Sequence, residues 1–138
     1  VSVDLRYYTD ALNTALTEAG ITNEIAWPNK IYTPKKGIPY LGVENAGRNK
    51  TPLGIGADGI IQWVGIYQVG VTVPRDAGTR SQEIWAQRVM NTFARGANLP
   101  TFGGNVLTIE YSTAPMPTAF GDWSILPVQI HWFATEAP

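Results

Sequence analysis

The chain has 138 residues, an apolar share of 44% and a formal net charge of −1, which suits one domain with a real core. That charge balance excludes bulk attraction to nucleic acid or to an anionic membrane, and the absence of cysteine excludes disulfides, thiolate catalysis and cysteine-based zinc sites. No apolar run approaches a membrane span and no charged-then-apolar leader opens the chain, so a soluble cytoplasmic product is the expectation.

Residues 3–19 are predicted to form a helix. Leu5, Tyr8, Leu12, Ala15, Leu16 and Ala19 make one stripe, Asp4 favours the N-terminal end and Gly20 stops it. Tyr7 points off the stripe. A short strand over residues 23–27 is halted by Pro28, and the prolines through Pro39 impose an extended path. Residues 40–43 form the next strand. Residues 44–58 are predicted to be a long hairpin loop. Loops of that length in a compact domain are usually functional or disordered, and an arm that orders on a partner is the expected use. Its glycines match neither phosphate-binding spacing, GxGxxG or GxxxxGK[ST].

Residues 59–74 are the longest strand, with Ile61, Trp63, Gly65, Tyr67, Val69, Val71 and Val73 on one side. Gln62, Gln68 and Thr72 lie on the other, among Ile60, Val64 and Ile66. The second helix is predicted to start at a capping box, Thr79-x-x-Gln82, and to stop at Gly96. Ala86, Val89, Met90, Phe93 and Ala97 share its apolar stripe, with Trp85 at the edge. A strand then carries Leu107, Ile109 and Tyr111 on one face. Residues 113–121 are predicted to be a second loop, and residues 122–134 the last strand. Pro127 cannot donate to a ladder, so that strand is expected at an edge or bulged there. The order predicts an α+β fold: a mostly antiparallel β-sheet with two amphipathic helices packed on one face, a two-layer sandwich. The uncovered face mixes polar and apolar residues, which suits a wall packed on another subunit.

Nothing in the sequence assembles a reactive centre. His131 is the only histidine, no serine sits in a GxSxG turn, and no DxDxDG-like run offers a cation cage. Asp58, Asp76 and Asp122 flank turns, where aspartate is expected for backbone reasons. The long strand carries no lysine or arginine, so direct nucleic-acid recognition is not expected. Charge is unevenly placed: Lys30, Lys35, Lys36, Arg48 and Lys50 sit close together, nothing after Arg95 is basic, and Glu110, Asp122 and Glu136 are acidic.

Several segments resemble a known family. They are the strand Ile25-Ala26-Trp27-Pro28-Asn29, then Pro34, and the P-Y-L-x-V strand at residues 39–43. Next comes G-x-x-Q-W-x-G-x-Y-Q-V-x-V-x-V-P at residues 59–74, then a G-T turn and an amphipathic helix. A W-x-x-x-P-V-x-I-x-W strand at residues 123–132 closes the pattern. Over nearly its whole length the chain, as one domain of residues 1–138, resembles the tail terminator-like proteins of long-tailed bacteriophages. The resemblance implies a homohexameric ring that caps the finished tail tube, ends its polymerisation and offers a surface for head–tail joining. It implies the tube protein and a head–tail connector as partners, DNA passing unread through the ring, no membrane, no cofactor and no catalysis. It also implies a place at the neck of the virion after synthesis in the host cytoplasm. Another connector, a tube component or a small ligand-binding module over His131 are the alternatives. A ring needs two different matching patches on one subunit. The candidates are Arg48 and Lys50 against Glu110 or Asp122 of the next copy, with Ile84 exposed on the second helix.

Overall fold

The computed structural model describes residues 4–21, 24–28, 30–53 and 59–136. Helix α1 (Leu5–Thr17) starts where the Asp4 carboxylate accepts from the Arg6 amide at 2.9 Å, satisfying one of the donors a helix start leaves open. It buries Tyr8, Leu12 and Leu16, a four-residue spacing, whereas Leu5, expected in the same stripe, is 40% exposed. Strand β1 (Glu24–Ala26) runs parallel to β2 (Tyr40–Pro52). The remaining strands are β3 (Ile61–Pro74), β4 (Asn98–Pro100), β5 (Val106–Thr113), β6 (Thr118–Phe120) and β7 (Trp123–Glu136), with helix α2 (Arg80–Thr92) between β3 and β4. Spatial order is β1-β2-β3-β7-β5-β4, with β6 beside β7, and every pair except the first is antiparallel.

Both helices lie on one face, as the alternation in β3 requires. Val69 pairs with Val128, Val71 with Leu126 and Tyr67 with Ile130, and these join Leu12, Leu16, Ala86, Val89 and Phe93 in one buried cluster. Gly65 is where this face needs a glycine. The Trp132 indole of the adjacent strand lies over it, so close that an added Cβ would sit 2.5 Å from the ring. Trp132 is 2% exposed and packs on Tyr8 with ring centroids 5.4 Å apart.

The helix α2 start differs from expectation. Thr79 makes no side-chain cap bond. Gln82 does not reach back to it; fully buried, its amide donates to the Val71 carbonyl at 3.0 Å and the Ser124 carbonyl at 2.9 Å. Burial decides this, because two sheet carbonyls beneath the helix need a donor that water cannot supply. At the other end the helix stops at Thr92, ahead of Gly96. Gly96 has φ +82 and its amide donates to the Ile109 carbonyl, turning the chain toward β4.

Three loop and edge expectations change as well. Residues 44–52, expected as part of a loop, are strand: β2 pairs with β3 as far as Pro52–Ile61, with one irregularity between Asn45 and Gly47. Residues 54–58 of that stretch lie outside the described residues. Residues 118–120 of the second expected loop are strand β6. Pro127 sits in a central strand, but on one side of it β5 pairing ends at Gln129 and β6 pairing begins at Ile125. The edge that proline needs is therefore local.

Candidate assembly surface

The sheet face away from the helices is packed over at one end, where Thr72 is 2% exposed and Tyr32 packs on Tyr40, and is half-buried along the rows of Gln68, Ile66 and Val64. Its rows follow from the register. Glu44, Gln68, Gln129 and Thr113 form one row, tied by hydrogen bonds from Gln68 to Glu44 at 3.0 Å and from Gln129 to Gln68 at 3.3 Å. The next row is Gly47, Ile66, His131 and Tyr111, and the one after is Asn49, Val64, Phe133 and Thr108. A short apolar band of Ile66, Val64 and Phe133 thus lies beside a polar ladder.

Tyr111 was expected on the core side with Leu107 and Ile109. The register shifts between Ile109 and Tyr111, and a β-bulge moves all later side chains to the opposite face. Tyr111 therefore stacks on His131, ring centroids 4.2 Å apart and planes 16° apart. Glu110 is the residue left over at that bulge, and it is exposed.

The five residues marked out in the sequence fall in three places. Arg48 and Lys50 stand on β2, opposite Gly65 and Trp63. The Lys50 ammonium lies 5.9 Å from the Trp63 ring centroid, a cation–π contact. Glu110 is on the opposite flank, one residue past the row of Arg48. Arg48 pairs with Gly65, Gly65 with Trp132 and Trp132 with Ile109, next to Glu110. Asp122 is at the far end of the sheet, where Trp123 pairs with Pro74, roughly 30 Å along the strand from that row at the usual rise per residue. It borders an open groove with Lys36, Arg75 and Asp76. Ile84 is 46% exposed on α2. Within one copy none of the cationic candidates meets an acidic one. The ion pairs among the described residues are Arg6–Asp4 and Lys35–Glu24, both 2.7 Å.

Glu136 is not part of an acidic surface. It is 5% exposed, and one carboxylate oxygen accepts from the Tyr8 hydroxyl at 2.8 Å and the Trp63 indole at 3.1 Å. Asn105 donates in turn to the Tyr8 oxygen at 3.1 Å and to the Thr135 carbonyl at 3.2 Å. Burial first, and then donation to Glu136, raises the Tyr8 phenol above its ordinary value. Neutral donors hold this carboxylate in place and tie α1 to β3, β7 and the turn before β5. The sequence offered no sign of it, because the partners are 128 and 73 residues away.

Sequence reasoning also missed the apolar flank. Phe102, Met116 and Phe120 are 85%, 84% and 71% exposed on the segments around β4, β5 and β6. Their signal was compositional. Residues 97–121 contain one charged residue, Glu110, against a chain-wide charged share of 15%.

A folded core, a half-buried sheet face and apolar flanks define a protein that works through its surfaces. A structural assembly subunit is the class this describes. The family model for phage tail terminator protein matches residues 8–132, and the chain belongs to that family. It is therefore a structural protein of the bacteriophage tail, of a non-enzymatic virion family that associates with other tail and head components. One solved structure is 20% identical over 99% of both chains with a TM-score of 0.73, a likeness of fold. No curated protein sequence matches significantly.

Proposed function

We propose that this protein closes the tail tube as a homohexameric ring, and that the ring ends tube polymerisation and presents the surface to which the head connector attaches. The observation that carries this reading is the surplus of contact-making surface: two flanks with exposed apolar side chains beside a half-buried sheet face, on a subunit whose core is already closed. A ring needs unlike patches that match, and Arg48 and Lys50 on one flank with Glu110 on the other supply them. Asp122, at the end of the sheet, is better placed to meet the layer above or below, and Ile84 to meet a neighbour across the helix layer. The family resemblance supports a homohexamer, with the tube protein and a head–tail connector as the axial partners and DNA passing unread. The protein is made in the host cytoplasm and ends at the neck.

The test is a phage that lacks this protein. Tails of uncontrolled length without attached heads are expected in electron micrographs. Tails of normal length joined to heads would overturn the reading. Purified protein that stacks into long polymers, instead of stopping at one ring, would assign it to the tube.

A further inference from the structure

Residues 97–121 are nearly free of charge; Leu107 and Ile109 point into the core, but a second set of apolar side chains in this segment does not. Phe102, Val106, Tyr111, Met116 and Phe120 are all at least 43% exposed there. The centre of a protein interface is depleted of charge and enriched in aromatic residues and methionine, and exposed apolar surface of this kind marks a contact. The opposite flank, β1 and β2 with the segment between them, is cationic. Residues 24–53 hold five basic side chains and two acidic ones. It too exposes apolar groups, Ile31, Ile38 and Leu53.

We infer that the β4–β5–β6 flank of one copy is buried against the β2 flank of a second copy, with Glu110 meeting Arg48 and Lys50. This deepens the ring reading above and rests on it. Three features select a second copy over another partner. The sole charge of the apolar flank is acidic, and the facing flank is basic. Glu110 directly follows Ile109, the residue that ends the cross-strand row of Arg48. A closed ring has no rise from copy to copy, so groups that meet must lie at one height. With the strands along the ring axis, Glu110 lies within one residue of the height of Arg48 and meets that condition, and Asp122 does not. Both strands are also outermost where they would meet. β1 covers only Tyr40–Gly42 of β2, and β4 covers only Val106–Thr108 of β5.

The chain has no cysteine, which makes the test clean. Lys50→Cys and Glu110→Cys are both at exposed positions, and the variants are treated with a short bis-maleimide, as purified protein and within assembled particles. The chain carrying both substitutions is expected to give a covalent ladder past the dimer, while a mixture of the two single variants gives dimers only. Arg48→Glu is expected to raise the concentration needed for assembly about tenfold, and adding Glu110→Arg to restore it, as for a complementary charge pair. A ring that forms normally without the ladder, or with these cysteines joined to the tube protein, overturns the flank assignment and leaves the ring reading standing. A ladder that never closes into a ring supports the flank contact and sinks the ring. Absence of both ring and ladder overturns the two together.

Discussion

On the helix side of the sheet, Trp132 lies over Gly65, packs on Tyr8 and is 2% exposed. One residue along β7, on the other side, Phe133 shares a row with Val64 and Thr108 and is half-buried. The same strand thus carries a side chain finished by folding and one that folding leaves partly open. Stability resides on the first face, and the association proposed above uses the second face and the flanks. A substitution should therefore register in melting or in assembly according to the face it occupies.

The largest expected effect tests that division directly. Trp132→Ala removes a buried aromatic and should cost about 3–5 kcal/mol of unfolding free energy, measured by denaturant titration. Phe133→Ala in the same strand, at a half-buried position, should cost less, about 1–2 kcal/mol in the monomer, and act on assembly. Equal losses from the two would erase the distinction between faces. Next in size is Gln82→Ala. It strips the donor from two buried carbonyls, those of Val71 and Ser124, and should cost about 1–3 kcal/mol. Thr79→Ala, at the expected capping box, should be nearly silent because Thr79 makes no side-chain cap bond.

Those two residues show how far the sequence could be read. The period-two run of β3 and the stripes of α1 and α2 were legible because burial of one face imposes a period on adjacent residues. Gln82 was misread because Thr-x-x-Gln is a local pattern, while the Val71 and Ser124 carbonyls that claim its amide are 11 and 42 residues away. Tyr111 was misplaced for a similar reason. Strict alternation assigns it to the core, and the bulge at Glu110 depends on how β5 pairs with β7. Glycine and proline content suggested a loop over residues 44–58, which include the strand residues 44–52. Pairing with β3 overrides that propensity, as sheet context commonly does. Of the surface, the charges were visible one by one, but the nearness of Glu110 to the row of Arg48 needs three strand registers to see.

A smaller effect should appear at high pH. Burial raises the Tyr67 phenol above its ordinary value, and burial with the Glu136 bond does the same for Tyr8. The folded state therefore holds these protons more tightly than the unfolded chain, whose phenols titrate near 10.0. The resulting stability is complete below that value and declines as pH rises beyond it. Phenolate absorbance from these two rings should therefore emerge only together with unfolding. Tyr67→Phe should flatten the alkaline decline and remove the 2.7 Å bond to Asn13. Early titration of both rings in a chain that remains folded would show that the helix face is less closed than the packing requires.

The least effect on the monomer is expected at Ile84. It is 46% exposed on α2, away from Ala86 and Val89, so Ile84→Gln should change unfolding free energy by no more than about 0.5 kcal/mol. Its value lies in what it asks of the helix layer. If copies touch only through the flanks of the sheet, rings of the Ile84→Gln protein should dissociate at the same concentration as the parent's. If the helices also meet a neighbour, dissociation should come earlier while melting of the isolated subunit stays put. Sedimentation of the two proteins over a dilution series separates these cases, and a shift in melting alone would place Ile84 in the core layer instead.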